Sequence, residues 1–114
     1  MASKYNAKKA MVDGIKFDSQ KEAKRYLQLR DLEKIGKICN LQLQVPFELV
    51  KKQPEWKERA VVYRADFVYI DLRGDMPLKV IEDVKGMRTR EYVIKRKLMR
   101  LLYCKPDEVI FKEV

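Results

Sequence analysis

Apolar positions recur with two different periods along the chain, and together they predict a mixed α/β domain. Between residues 19 and 35 they recur about every 3.6 positions, which is typical of an amphipathic helix. Ser19 and Glu22 have the spacing of a capping box at the start of this helix, and Gly36 suits its end. Residues 41–47 alternate between apolar and polar instead, as a half-buried strand does.

Two further strands follow, joined by a tight turn. Residues 60–71 are dense in Val, Tyr, Phe and Ile and predict a long central strand. Residues 72–77 predict the turn, and residues 78–85 predict the next strand, which ends at Gly86. In the strand before them, Pro46 favours a bulge or a sheet edge, because proline cannot donate to a ladder.

A short hairpin precedes the first helix, and a second helix follows the strands. Asp13 and Gly14 are a turn signal for the hairpin. Thr89 suits the start of a helix that runs to about Tyr103, and residues 109–114 supply a last short strand. We expect the second helix to bury an apolar face made of Ile94, Leu98 and Leu101, with Leu102 beside it. The predicted order after the hairpin is helix, three strands, helix, strand.

The charge of the chain indicates a polyanionic partner. Lysine and arginine number 26 against 17 acidic residues, which gives a formal net charge of +9. By size the chain is one domain, which we place at residues 10–114. We expect residues 1–9 to form a basic flexible arm, because they are polar and carry Lys4, Lys8 and Lys9. The alternative is a basic protein without a nucleic-acid partner.

The residue types that are missing narrow the possible chemistry. The chain has no histidine, which excludes Ser-His-Asp and Cys-His triads and histidine-bound zinc. Cys39 and Cys104 are too few for a structural zinc site, so we expect no zinc and two thiols in a reducing cytosol. We find neither a signal peptide nor an apolar run that spans a bilayer, and we expect no membrane association. Carboxylates, lysines, tyrosines and a hard metal ion remain.

Strand alternation singles out one acid and one lysine. It places Asp83 and Lys85 on one face of their strand and Glu82 on the other. Lys85 is either a solvent-facing lysine or a point charge that binds the scissile phosphate and orients the attacking water. The role of Glu22 is equally open. A capping box explains the residue as well as a role as a third carboxylate of the site does.

The turn predicts which residue faces Asp83. If the turn is symmetric about residues 74–75, Asp66 lies opposite Asp83, with Cβ atoms roughly 4.5–5.5 Å apart. Directly opposed like charges destabilise a sheet unless a cation lies between them, and Mg²⁺ prefers carboxylate ligands. The alternative is two solvated aspartates on an exposed face. Against it stand neighbours that look interior, namely Val62, Tyr63, Ala65, Val80 and Ile81.

The ordered motifs resemble the PD-(D/E)XK nuclease superfamily. Asp66 followed by Asp83-Val84-Lys85 resembles its signature, with Ala65 in place of the proline. A family of small phage-encoded endodeoxyribonuclease-like proteins is similar in three motifs over nearly the whole chain. These are a V-D-G-I-x-F-x-S-x-x-E opening at residues 12–22, a Y-x-A-D-F strand at residues 63–67, and an E-x-K-G strand that reads D-V-K-G here at residues 83–86, with Asp83 in place of the glutamate.

The resemblance implies a restriction-endonuclease-like fold, which is α/β with an αβββαβ core and a central mixed sheet flanked by helices. It implies that Glu22, Asp66 and Asp83 bind Mg²⁺ or Mn²⁺. The Val84 carbonyl is a further possible ligand, and Lys85 assists the nucleophilic water. It also implies a homodimer that is encoded by a phage or prophage and acts on DNA in the cytoplasm of the bacterial host. Branched DNA, as cut by junction resolvases, is one candidate substrate.

We therefore predict a Mg²⁺-dependent endodeoxyribonuclease that hydrolyses phosphodiester bonds. Its main alternative is a nucleic-acid-binding module without catalysis, and a third is a protein–protein adaptor whose basic surface binds acidic partners. The number of metal ions and the DNA structure that is cut stay open. The candidate DNA-contacting residues are Gln44, Arg64, Arg88, Arg90, Lys95 and Arg96.

Overall fold

The computed structural model describes residues 9–86 and 88–114. These residues contain a four-stranded mixed sheet and two helices. All but the last residue of the predicted basic arm lies outside the described residues. The order predicted from the sequence is confirmed. The elements are β1 (Ala10–Val12), β2 (Ile15–Phe17), α1 (Gln20–Lys34), β3 (Ile38–Val50), β4 (Val61–Asp71), β5 (Leu78–Asp83), α2 (Arg90–Tyr103) and β6 (Val109–Glu113), with a 3₁₀ turn at Pro54–Trp56.

The sheet has the strand order β3-β4-β5-β6. The first three strands are antiparallel, and β6 is parallel to β5, with α2 as the crossover between them. Pro46 lies in β3, which is an edge strand as the sequence predicted. In the part of the chain that the structure describes, neither helix has the length and apolar character needed to cross a bilayer.

The β1–β2 hairpin is fastened to α1. Its turn residues Asp13 and Gly14 have left-handed φ angles of 53° and 75°. Aspartate tolerates this conformation, and glycine adopts it without strain. The Asp13 carboxylate accepts hydrogen bonds from the Tyr26 hydroxyl at 3.1 Å and from Arg30 at 2.9 Å. The helix begins as predicted, because the Ser19 hydroxyl accepts the backbone N–H of residue 22.

The register between β4 and β5 is the one that the symmetric turn predicts. Phe67 lies opposite Glu82, and the same register continued by one residue places Asp66 opposite Asp83. Backbone pairing between the two strands ends at Phe67 and Glu82. Beyond that point the Asp66 carboxylate accepts the Val84 N–H at 2.8 Å, where a regular ladder would use a backbone carbonyl. The two strands therefore open at the aspartates.

The strand predicted at residues 78–85 is shorter in the structure. It ends at Asp83, although the Lys85 N–H still donates to the Val114 carbonyl at 3.0 Å. Lys85 consequently follows the strand at its open end.

The apolar residues of β3 and β4 change sides at Gln44 and Asp66. Before this point on β3 the apolar side chains pack with α1, and after it they pack with α2. Gln44 has a left-handed φ of 53°, which marks the irregularity. The α1 side receives Leu41, Leu43, Phe67 and Tyr69, whereas the α2 side receives Val45, Phe47, Tyr63 and Ala65.

This exchange leaves one side of the β3–β4 hairpin uncovered. Val62, which the sequence placed inside, is 42% exposed, so that expectation was wrong. It pairs with Glu48, and Arg64 pairs with Pro46 one step closer to the aspartates. Directly paired residues of antiparallel strands share a face. We call the exposed side chains of Gln44, Pro46, Glu48, Val62 and Arg64 the open face of the hairpin.

Helix α2 buries a different face from the one that the sequence predicted. Tyr92 and Met99 are buried against the sheet, while Ile94 and Leu101 are 59% and 76% exposed. The prediction failed because α2 has apolar residues on two sides. The buried side is fixed by Glu113 of β6, whose carboxylate accepts from the Tyr92 hydroxyl at 2.6 Å and from Arg96 at 3.3 Å. Of the predicted face, Leu98 is partly buried against the core, as expected, whereas the exposed Ile94, Leu101 and Leu102 form the outer stripe of α2.

Candidate active site

Two aspartates meet at the point where β4 and β5 separate. Asp83 is 4% exposed, and the carboxyl groups of Asp66 and Asp83 lie within hydrogen-bonding reach of each other. Burial, and then the adjacent Asp83 carboxylate, raise the pKa of Asp66 to about 8. Unless a cation binds there, the Asp66 carboxyl group therefore keeps its proton at neutral pH.

Glu22 reaches the aspartates through the side chain of Gln44. The Gln44 amide Nε2 lies 3.1 Å from Glu22 Oε1 and 3.3 Å from Asp66 Oδ1, so one amide group donates to both carboxylates. Burial and the nearby charges of Asp18 and Asp83 raise the pKa of Glu22. The capping box is only half formed. The Ser19 hydroxyl accepts the Glu22 backbone N–H, but the Glu22 side chain is turned toward Gln44.

Lys85 is held beside Asp83 by three contacts. Its ammonium group forms an ion pair with Asp83 and lies 3.4 Å from the centre of the Tyr92 ring, within cation–π range. Its backbone carbonyl accepts a hydrogen bond from the Lys21 ammonium at 2.7 Å. Lys85 and Asp83 therefore share one surface, as strand alternation predicted.

Glu82 faces the other way and has a different role. It is fully buried on the α1 side, where Arg25 binds it through Nε at 2.6 Å and through a second nitrogen at 2.8 Å. The Tyr69 hydroxyl donates to the same carboxylate at 2.7 Å. Arg25 neutralises the Glu82 carboxylate, and the Tyr69 hydroxyl occupies a further acceptor position, so Glu82 has no free charge to offer a ligand.

A buried tyrosine hydroxyl lies under the aspartate pair. Tyr63 is 6% exposed, and its hydroxyl makes no hydrogen bond of good geometry within residues 9–86 and 88–114. Burial and the nearby Asp83 carboxylate raise the pKa of Tyr63. A buried polar atom without a partner is uncommon in native proteins, and functional sites are one place where it occurs.

The donor set fits a hard divalent cation, although the arrangement is not closed around one. In the part of the chain that the structure describes, no three acidic side chains converge tightly enough to form a metal-binding group as they stand. The Gln44 amide separates Glu22 from Asp66. Chemically, however, the site offers three carboxylates of which two are in contact, and this is the oxygen-rich environment that Mg²⁺ and Mn²⁺ prefer. The Val84 N–H is bound to Asp66, and within residues 9–86 and 88–114 no hydrogen bond reaches the Val84 carbonyl.

The predicted DNA-contacting residues lie in two places. Gln44 and Arg64 are on the open face of the hairpin, Gln44 at the carboxylates themselves. The other four lie just before α2 and in its first two turns. There Arg90 is exposed, Lys95 pairs with Glu91 at 3.2 Å, and Arg88 and Arg96 each pair with Glu113 at 3.3 Å. Arg96 is the most enclosed of these, since it lies on the buried side of α2.

Two tyrosines of the site were missed from the sequence. Tyr63 precedes the motif aspartate by three positions, and Tyr92 is the third residue of α2. The signal for Tyr92 was its distance from the cap, since Thr89 accepts its N–H at 3.1 Å and so fixes the first turn beside Lys85. Tyr63 is the first residue of the Y-x-A-D-F motif, but it was not assigned a role because an aromatic residue in a central strand is ordinary.

Comparison with known proteins gives a family and no activity. A family model described as "Protein of unknown function (DUF1064)" matches residues 2–112. No curated protein and no solved structure matched the chain. The functional conclusion must therefore be drawn from the geometry of the site.

Proposed function

The chain belongs to the DUF1064 family, whose description gives no function, and from its site we propose that it is a metal-dependent DNA endonuclease. We further propose that its α/β core is of the restriction-endonuclease-like kind, because the order αβββαβ and the mixed sheet agree with that architecture. The bond that we propose is cut is the phosphodiester bond of DNA.

One observation carries the proposal, namely the contact between two mostly buried carboxyl groups with a lysine at their side. Asp66 and Asp83 repel each other when both are ionised, and a fold gains nothing structural from that repulsion. Perturbed carboxyl groups of this kind cluster at functional sites. The +9 net charge supplies the second half of the inference, because it favours a polyanionic substrate.

Asp66 and Asp83 would hold the cation, with Glu22 as a third ligand once the Gln44 amide moves aside. When bound, a divalent cation polarises a phosphoryl oxygen and lowers the pKa of water. Lys85 supplies a fixed positive charge next to Asp83, where it can bind a phosphate oxygen or hold the attacking water. The face of the Tyr92 ring limits where its ammonium group can lie.

The open face of the hairpin leads away from the aspartates and would carry the DNA. Arg64 is exposed there without an ion pair in the part of the chain that the structure describes, so its full charge is available to phosphate. Arg90, at the start of α2, is also exposed and forms no ion pair within the described residues. Arg88, Lys95 and Arg96 are weaker candidates, because acidic neighbours already neutralise part of their charge.

We propose a homodimer that pairs through the outer stripe of α2. Leu101 is 76% exposed, and Ile94, Leu101 and Leu102 have the i, i+7, i+8 spacing of a helix face that another surface covers. A second copy is the partner that we favour, since two sites are required to cut both strands of a duplex in one encounter. The site itself does not depend on this pairing.

The experiment that tests the proposed function is incubation of the purified protein with end-labelled branched, duplex and single-stranded DNA. It is done with Mg²⁺, with Mn²⁺ and with chelator alone. We expect at least one DNA to be cut in the presence of a metal and none in chelator. Lys85→Met, which keeps the length of the side chain and removes its charge, should bind the same DNA and not cut it.

Two results of this experiment would contradict the proposal. Binding without cleavage under every metal would identify the chain as a nucleic-acid-binding module. Cleavage by Lys85→Met at the wild-type rate would show that the cutting activity belongs to a different site or to a contaminant.

A further inference from the structure

The tip of the β3–β4 hairpin carries an exposed tryptophan on an ordered turn. Trp56 is 72% exposed, which is unusual for the largest apolar side chain, and it ends the 3₁₀ turn Pro54–Trp56. Four backbone hydrogen bonds of 3.0–3.1 Å close this turn, among them the reciprocal pair between Gln53 and Glu58. The backbone that carries the indole is therefore ordered before a partner binds, which lowers the entropic cost of binding.

Basic residues outnumber acidic ones near the tryptophan in the sequence. Two exposed acids, Glu55 and Glu58, lie there. The exposed basic residues within five positions of the tryptophan are Lys51, Lys52, Lys57 and Arg59. No ion pair in the part of the chain that the structure describes involves any of them, so each keeps its charge for a partner. An aromatic ring among free cations has the chemistry of a nucleic-acid contact, in which the ring stacks on a base and the cations bind phosphates.

We propose that Trp56 stacks on an unpaired base of the DNA that lies along the open face of the hairpin. This inference rests on the proposed function and specifies its substrate as DNA with unstacked bases, such as a single strand, an internal loop or a branch. A paired base inside a duplex has both faces covered, so a stacking side chain must first separate neighbouring bases. The tip therefore favours DNA in which that separation already exists.

The hairpin also sets the distance between the stacked base and the cut. From Asp66 to Val61 the strand rises about 17 Å, at roughly 3.4 Å per residue, and the tip lies beyond Val61. A DNA strand advances about 3.4 Å per nucleotide along its helix. We expect the unpaired region to lie at least about five nucleotides from the bond that is cut.

The test uses Trp56 as its own reporter, because it is the sole tryptophan of the chain. In chelator, so that nothing is cut, tryptophan fluorescence is titrated with three DNAs of equal length. These are a single strand, a duplex with an internal unpaired loop and a fully paired duplex. We expect strong quenching by the single strand and the looped duplex, and much weaker quenching by the paired duplex at saturation.

Variants separate stacking from other roles of the tip. Trp56→Ala should bind the looped duplex about ten-fold more weakly or worse and the paired duplex within two-fold of wild type. Trp56→Phe keeps an aromatic face and should recover most of the loss. Met76→Ala is the matched control, because Met76 is 74% exposed at the other end of β4 and should have no effect.

Several results would overturn the inference. One is wild-type affinity of Trp56→Ala for the looped duplex, and another is an equal loss on all three DNAs. A third is a change of sedimentation mass in Trp56→Ala with unchanged DNA affinity, which would make the tip an interface between copies. Failure of the proposed function is distinguishable, because a chain that shows the expected quenching and cuts no DNA would keep the stacking site and lose the catalytic one.

Discussion

Replacing Asp66 by asparagine should make the metal-free protein more stable. The substitution removes one of two carboxylates in contact and keeps an oxygen that accepts the Val84 N–H. Two unit charges roughly 5 Å apart repel by about 1–3 kcal/mol for effective dielectric constants between about 80 and 20. Relief of the desolvation of Asp66 acts in the same direction. We therefore expect a gain of at least about 1–3 kcal/mol in the free energy of unfolding at high pH.

The gain should depend on pH in a direction that follows from the raised pKa of Asp66. An aspartate in the unfolded chain has a pKa of about 3.9, whereas the pKa of Asp66 in the folded protein is about 8. Between these values the folded state binds more protons than the unfolded state, so wild-type stability falls as the pH rises. Asp66→Asn lacks this dependence. Its advantage should be small near pH 4 and complete above pH 8.

The measurement is thermal or urea unfolding followed by circular dichroism in chelator, at both ends of this pH range. For a domain of this size the gain corresponds to a rise in Tm of about 4 °C per kcal/mol. Asp71→Asn is the matched control on the same strand, because Arg73 binds Asp71 at 2.9 Å and lowers its pKa. It should give no gain. An Asp66→Asn protein that is less stable than wild type at high pH, or equally stabilised at both, would refute the reasoning.

The remaining predictions concern metal binding, the buried Arg25–Glu82 ion pair, DNA affinity and dimerisation. Mn²⁺ or Mg²⁺ should raise the Tm of wild type at pH 8 and leave that of Asp66→Asn unchanged; equal shifts would place the metal elsewhere. Arg25→Ala should lower the free energy of unfolding by about 3–5 kcal/mol in urea titrations, because it leaves the buried Glu82 carboxylate unpaired; a loss below about 1 kcal/mol would contradict this. DNA affinity should fall steeply with salt, and Arg64→Gln should lower the slope of log K against log salt by about one; an unchanged slope would remove Arg64 from the DNA path. Leu101→Glu should convert the proposed dimer to a monomer in sedimentation velocity, and a variant that stays dimeric would exclude the outer stripe of α2 as the interface.

Local rules in the sequence were sufficient for the elements and for the central pair of the site. The turn at residues 72–77 is nearly symmetric, so counting outward from its centre paired Phe67 with Glu82 and brought Asp66 opposite Asp83. Strand alternation then separated Asp83 from Glu82, and the structure places these neighbours on opposite sides of the sheet. Both inferences depend on strand geometry over a few residues, which tertiary packing seldom changes.

Features that depend on partners far away in the chain were not predictable. On α2 the stripe that includes Ile94 and Leu101 is more apolar than the one that includes Tyr92 and Met99, yet the second is buried. Glu113, 21 residues after Tyr92, decides the orientation by accepting its hydroxyl. The exchange of sides at Gln44 was equally hidden, because glutamine is not a residue type that favours a positive φ.

Two adjacent acids, Asp83 and Glu82, test most directly whether the Asp66–Asp83 pair is where a metal ion enables DNA cleavage, as we propose. The measurement is the single-turnover rate of Mg²⁺- or Mn²⁺-dependent DNA cleavage by wild type, Asp83→Asn and Glu82→Gln, each shown by circular dichroism to be folded. We predict that Asp83→Asn loses at least about a hundred-fold in rate. Glu82→Gln should stay within a few-fold of wild type, because Glu82 lies on the other side of the sheet with Arg25. Undiminished cleavage by Asp83→Asn, or loss of cleavage in Glu82→Gln alone, would contradict the account.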